Sequence, residues 1–196
     1  MLQAKYEAME ESYAKLKAKN IDLESRCRRN NIRIVGLPES IEGTQPSTFF
    51  SKLLVDILGE GILHAPPELD RAHRALTAKP APGSRPRAVI ARVHHYKTKE
   101  AIIQEARRRR GELSYQGKPV AIFEDYCPEV IEQRTAYRGV MSKLYQQGLK
   151  PSLLYPARLR ITTKDGRKKM FTSVEDAEAF VTRSDDVPHS PTGEER

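Results

Sequence analysis

The first 29 residues carry the most regular pattern in the chain. Leu2, Met9, Leu16 and Leu23 recur every seven positions, and Tyr6, Tyr13, Asn20 and Cys27 recur with the same period, each four places later. Lys, Glu and Asp fill most of the intervening positions, so the pattern reads as a two-column heptad seam along one helix. A helix of this length is marginal alone in water, and the seam therefore calls for a partner. Self-association of residues 1–29 through those eight positions is the leading expectation. The alternative is a single amphipathic helix folded back on its own domain. Asn20, at a seam position, is the kind of buried polar residue that sets register at some cost in stability. Tyrosine and asparagine at such positions do not decide between dimer and trimer.

The period changes at Asn30-Asn31. Ile32 and Ile34 alternate with Arg33 and Val35, a strand signature closed by Gly36 and Pro38. Phe50, Leu53, Leu54, Ile57 and Leu58 then share one helical face, with Ser47 placed as N-cap and Gly59 just past the end. Residues 69–76 read as a weaker strand, and "TAKPAPGSRPR" as an irregular basic loop. In "AVIARVHH", Val89, Ala91 and Val93 take one strand face and Ile90, Arg92 and His94 the other. "KTKEAIIQEARRRRG" predicts a helix from near Thr98 to Gly111, and "ELSYQGKPVAIFEDY" a hairpin turning at Gln116-Gly117. The succession strand, helix, strand, loop, strand, helix, strand predicts a split βαβ sandwich with one open sheet face.

A second small unit follows. Pro128 suits a first helical turn, and the helix should run to about Gln147 before Gly148 and Pro151 end it. Short strands are expected at "SLLYP", "RLRIT" and "KKMFT", with a turn at Lys164-Asp165-Gly166. A last helix, "SVEDAEAFV", has Ser173 and Asp176 at capping-box spacing. From Ser184 onward the chain is polar and proline-interrupted, and reads as disordered. The class is α+β, divided as 1–29 coiled coil, 30–126 first folded domain, 127–183 second domain and 184–196 tail.

Charge changes the picture. The formal net charge is +8 and the pI about 9.5, which favours a polyanionic partner. The charge also clusters: nine Lys or Arg lie between Arg85 and Arg110 against Glu100 and Glu105. Eight lie between Lys143 and Lys169 against Asp165 alone. Such residues neutralise phosphates and give salt-sensitive affinity with little dependence on sequence. A bland reading of Arg107 to Arg110, as complements to a helix C-terminus, accounts for one or two of the four.

Catalytic patterns are missing. No phosphate-cradling glycine loop, HExxH, GxSxG or paired CxxC occurs. Two cysteines, Cys27 and Cys127, build no disulfide framework, and Cys127 reads as structural. His94 and His95 adjoin, but neighbours on a strand face opposite ways, so no metal is expected there. Glu124 and Asp125 lack the spacing of a two-metal nuclease. No cofactor is expected. No apolar run spans a bilayer and no signal peptide is evident, so a soluble intracellular protein without membrane contact is expected.

Arg134 is the sharpest single residue. Val130, Tyr137, Met141, Leu144 and Tyr145 fall on one helical stripe, and Arg134 lies within it. An arginine there must snorkel, pair with a buried carboxylate, or face a cleft that receives an anion. A cleft between the two folded units is the preferred reading, since it also explains the basic strands around Tyr155. Tyr155 itself either stacks on a base or packs as core.

"RRNNIRIVGLPES", "RAHRAL", "PRAVIARV", "EARRRRGELSYQGKPVAIFEDY" and "LLYPARLRI", in that order, resemble the first open-reading-frame protein of LINE-type retrotransposons. The resemblance spans residues 1–182. It implies a coiled-coil homotrimer, an RNA-recognition-motif-like domain over residues 30–126 and a small α/β C-terminal nucleic-acid-binding domain. It further implies binding of single-stranded RNA, or single-stranded DNA, and a nucleic-acid chaperone activity without catalysis. The particle would be a cytoplasmic ribonucleoprotein, with nuclear presence also consistent. Matched motif by motif, the implied contacts are Arg74, Arg92, Arg107, Arg134 and Tyr155. The basic loop departs from the family's spacing and offers Lys79, Arg85 and Arg87 as candidate contacts, and Arg158 joins them from the basic strands around Tyr155. The central strands of this version carry Arg33, Val35, Arg92 and His94 rather than aromatics, so contacts to phosphate and sugar should dominate over base stacking on the sheet.

The competing class is a coiled-coil scaffold or adaptor without a nucleic-acid role. A nuclease would show metal-dependent strand cleavage, which the scattered carboxylates disfavour.

Overall fold

A computed structural model describes residues 2–163 and 165–185. Their helices and antiparallel sheets form two compact units, Met1–Cys127 and Pro128–Arg196. The polar segment expected to be disordered falls outside the described residues from 186 onward; Ser184 and Asp185 end a helix.

The first unit begins with α1 (Leu2–Arg28), followed by β1 (Asn31–Val35), α2 (Pro46–Leu58), β2 (Leu69–Arg74), β3 (Val89–Val93) and α3 (Tyr96–Arg108). A short hairpin of β4 (Ser114–Tyr115) and β5 (Lys118–Pro119) precedes β6 (Ala121–Glu124). Four strands make one sheet in the order β2-β3-β1-β6, antiparallel throughout. Alternation along the strands sends Ile32, Ile34, Val89, Ala91, Val93 and Ile122 into the core. There they meet Phe50, Leu53, Leu54 and Ile57 of α2 and Ile102, Ile103 and Ala106 of α3. Each large aliphatic side chain buried this way contributes about 1.5–3 kcal/mol.

Local chemistry accounts for the boundaries. Pro46, not Ser47, opens α2: its ring presets the helical φ and its missing N–H would be unsatisfied there anyway. Gln45 holds the N-cap position without a side-chain bond, so the expected serine cap is not used. The β4–β5 turn takes positive φ at both Gln116 (50°) and Gly117 (75°), as a tight antiparallel hairpin demands. Gly36, at φ 94°, ends β1 where a Cβ would lie 2.2 Å from the Pro119 carbonyl oxygen. Only glycine fits there.

The strand β3 stops at Val93, so His94 and His95 sit in a bend and do not face opposite ways as strand neighbours would. Their rings meet edge to face with centroids 4.7 Å apart.

The joint between α1 and β1 is bonded at several points. Arg28 pairs with Glu24 and with Asp125, whose side chain is 3% exposed. Asn31 donates to the same Asp125 oxygen at 3.0 Å. Asn30 donates to the carbonyls of Val93 and His94 at 3.1 and 3.0 Å. Ser25 Oγ lies 3.5 Å from Cys127 Sγ.

The second unit comprises α4 (Pro128–Ala136), α5 (Arg138–Gln146), β7 (Lys150–Leu154), β8 (Arg158–Thr162), β9 (Lys168–Phe171) and α6 (Val174–Asp185). The single helix expected to Gln147 is interrupted at Tyr137, one residue before Arg138-Gly139. Its three strands order β7-β8-β9, antiparallel. Tyr137, Val140, Leu144, Leu159, Ile161, Ala177 and Val181 form the core. Tyr145 is 57% exposed, so it leaves the apolar stripe assigned to it. The backbone N–H of Asp176 donates to Ser173 Oγ at 3.1 Å, which is the serine half of the expected capping box.

Candidate nucleic-acid interface

The face of the four-stranded sheet turned away from α2 and α3 is basic. Arg33 lies near its centre, opposite Phe123 of β6 on one side and Ile90 of β3 on the other. Ile90 in turn faces His73 of β2. Arg33 has no hydrogen-bonded or ionic partner among the described residues. Phe123 is 45% exposed. The central strands β1 and β3 carry no outward aromatic, as expected, but the edge strand β6 presents Phe123 on the same face. The signal was present in "AIFE": with Ile122 inward, alternation sends Phe123 outward.

Arg92, on the same face, donates to Asp70 Oδ2 at 3.2 Å and to the Cys27 carbonyl at 3.3 Å. It keeps 40% of its side-chain surface. Arg107 is well exposed and pairs with Glu124. Glu124 also accepts from Lys99 at 2.8 Å and from the Tyr126 hydroxyl. Burial pushes the Glu124 carboxyl up, but the Lys99 and Tyr126 hydrogen bonds outweigh it and hold the group below the usual range. Of the other arginines in that run, Arg108 pairs with Glu105. Arg109 donates to the Ile57 and Leu58 carbonyls at the end of α2. Three of the four arginines thus have partners inside the unit, more than helix-end complementation alone assigns.

Arg74 and Arg87 stand at the two ends of the basic loop and face inward. Arg74 spends all five N–H donors: two on Glu42 and one each on the carbonyls of Leu37, Pro38 and Arg87. Its side chain is 5% exposed. Arg87 clasps Glu39, to which its own backbone N–H also donates, and bonds the Thr77 carbonyl. Hydrogen bonding from Arg87 lowers the Glu39 carboxyl to about 2. Arg74 likewise holds Glu42 below the usual range. Two arginine–glutamate clamps thus fasten the loop's base to the segment after β1. Between them Lys79 is exposed, donating to Ser40 Oγ at 3.1 Å, and Arg85 is exposed with no partner among the described residues.

In the second unit, Arg134 turns onto the connection between β7 and β8. It donates to the carbonyls of Leu153 (3.0 Å), Leu154 (3.3 Å) and Pro156 (2.9 Å). These carbonyls flank Tyr155, which is 48% exposed and joined to Pro156 by a cis peptide bond. Arg158 is exposed, and its Nε donates to the Tyr155 carbonyl at 3.2 Å. Two guanidinium groups therefore brace the turn that presents the ring.

Along α1, the seam residues Tyr6, Met9, Tyr13, Leu16, Asn20, Leu23 and Cys27 are all exposed within the single chain. The side chain of Leu2 lies outside the described residues. The last turns of α1, from Glu24 on, join it to the rest of the first unit through Ser25, Cys27 and Arg28.

No protein-family model matches the chain. The chain is 30% identical over 151 residues, 76% of its length, to the mouse LINE-1 retrotransposable element ORF1 protein. It is 25% identical to the mouse LINE-1 type transposase domain-containing protein 1 over 85% of its length. The identity is 28% over 84% with the human protein of that name. The resemblance read from the sequence is thereby borne out: homologues carrying these names match most of the chain. The chain spans less than half the length of these relatives, 42%, 21% and 18% respectively.

Proposed function

We propose that this chain is an oligomeric single-stranded RNA-binding protein of a LINE-type retrotransposon, coating its transcript as a non-enzymatic nucleic-acid chaperone. The observation that carries the reading is the half-exposed Tyr155 ring, held on a turn braced by Arg134 and flanked by Arg158. Aromatic rings beside arginines hold single strands by stacking and by phosphate pairing, with little dependence on base identity. The βαββαβ order with strands β2-β3-β1-β6 supports an RNA-recognition-motif-like first unit, and its Arg33, without a partner among the described residues, supplies a second contact surface beside Phe123. The exposed heptad seam supports self-association, with a trimer as the reading taken from the family resemblance. Linking weak modules multiplies avidity while each contact stays exchangeable, which is what strand rearrangement requires. A cytoplasmic ribonucleoprotein particle is the proposed setting. No helix among the described residues is long and apolar enough to cross a membrane.

Filter binding of single-stranded RNA across a salt series tests this. Affinity should fall steeply with salt, and Tyr155→Ala should weaken it by about 1–3 kcal/mol, roughly 5- to 150-fold. A flat salt response together with unchanged affinity in folded Tyr155→Ala would overturn the proposal.

One observation favours the scaffold reading. Arg74, Arg87, Arg92 and Arg107, four of the candidate RNA contacts, pair with carboxylates inside the first unit. A scaffold predicts that Arg158→Ala and Arg33→Ala leave RNA affinity where it was.

A further inference from the structure

We propose that Glu68, His94 and His95 form a site for a divalent transition cation of the zinc class. One ligand atom from each residue lies within 4.8 Å of the other two. The backbone carrying them is fixed. Beyond the Leu69–Val93 pair, the His94 N–H donates to the Glu68 carbonyl at 3.0 Å, which sets Glu68 across from His94. His95 takes the N-cap position of α3, and its carbonyl accepts the Lys99 N–H at 3.1 Å. Asn30 grips the carbonyls of Val93 and His94 from the other side.

A second observation is independent of that clustering. Asp70 Oδ1 lies 2.7 Å from Nδ1 of His94, and Arg92 braces the other Asp70 oxygen at 3.2 Å. A carboxylate on one ring nitrogen fixes the tautomer and leaves the Nε2 lone pair for a metal, the arrangement usual around metal-binding histidines. Here the supporting shell is already assembled.

The donor set selects the ion. Two imidazoles and one carboxylate suit Zn²⁺, Ni²⁺, Co²⁺ or Cu²⁺, whereas Mg²⁺ and Ca²⁺ prefer all-oxygen sites. Ligands at about 2.0–2.2 Å from zinc stand roughly 3.4 Å apart in a tetrahedron, so the three side chains must close in slightly. All three are exposed and can rotate to do so. Three protein ligands leave a position for water or an added donor. The three ligands are separate from the residues of the nucleic-acid reading, which shares only the supporting Arg92, and the site stands if that reading fails.

The test uses the full chain without a histidine tag, stripped with a chelator, then titrated with zinc chloride by calorimetry and with cobalt(II) by visible absorption. One equivalent of zinc should bind, and tetrahedral cobalt bands should appear. Magnesium chloride should give no binding heat. The double variant His94→Ala/His95→Ala should lose the equivalent, and Cys27→Ser should retain it. Asp70→Asn should weaken it roughly 10- to 100-fold. The proposal is overturned if zinc does not bind the intact chain, or binds equally to the folded double variant.

Discussion

Replacing Arg74 by alanine separates two roles for this residue, an RNA contact as the family resemblance implies and an internal clamp as its geometry indicates. The guanidinium makes five hydrogen bonds and is almost wholly enclosed, and its carboxylate partner Glu42 is 14% exposed. Alanine would strand that carboxylate and leave the carbonyls of Leu37, Pro38 and Arg87 without this donor. Breaking a buried ion pair by removing one partner costs about 3–5 kcal/mol. Partial water access to Glu42 favours the lower end, about 3 kcal/mol. With a urea m-value near 2 kcal/mol/M, the unfolding midpoint at neutral pH should fall by about 1.5 M, with m unchanged. Arg74→Lys should recover little, because one ammonium cannot span five acceptors. RNA affinity, measured per folded molecule, should change less than in Tyr155→Ala. A variant with an unaltered midpoint that no longer binds RNA would refute the clamp and restore Arg74 as a direct contact.

Three further outcomes are expected of the same structure. Glu39 titrates near 2 in the folded chain against an ordinary value of 4.5, so its clamp contributes fully above 4.5 and is lost as pH falls toward 2; urea midpoints measured across that window should drop in the native chain and drop less in Glu39→Gln. Gly36→Ala forces a Cβ to within 2.2 Å of the Pro119 carbonyl oxygen at φ 94°, and the backbone conformation alone costs about 1–3 kcal/mol; thermal unfolding should show a loss beyond that range because of the clash. Deleting residues 1–22 should convert an oligomer to a monomer by light scattering while the folded units persist, since the deletion spares Glu24, Ser25 and Arg28; a cut after residue 29 should also destabilise the first unit, because Asp125 would lose Arg28.

The strands of the first unit were legible because alternation is strict where one face is buried: Ile32 and Ile34, then Val89, Ala91 and Val93, mark the inward side unambiguously. The face of α2 was equally plain from Phe50 to Leu58. What escaped depended on partners distant in sequence. Nothing near Arg74 or Arg87 announces Glu42 or Glu39, 32 and 48 residues away, so loop arginines that looked available are engaged internally. The assumption that His94 continues a strand failed because β3 ends one residue earlier, where Asn30 takes its carbonyls. Phe123 did carry a signal, since strand alternation from the buried Ile122 turns it outward. Arg134 and Tyr155, singled out separately on the sequence, meet on one turn.

The bolted junction between α1 and β1 leaves almost no slack: Arg29 and Asn30 alone separate helix from strand, and both flanks are hydrogen-bonded down. The sheet therefore inherits its bearing from the rod. Each residue added to a helix turns the chain beyond it by about 100° and lifts it by 1.5 Å. One alanine inserted between Leu23 and Glu24 would leave the upstream heptad pattern and the downstream fold intact, yet swing the arginine-bearing surface around the axis by more than a quarter turn. Copies arrayed on such a rod would then aim at different directions in space.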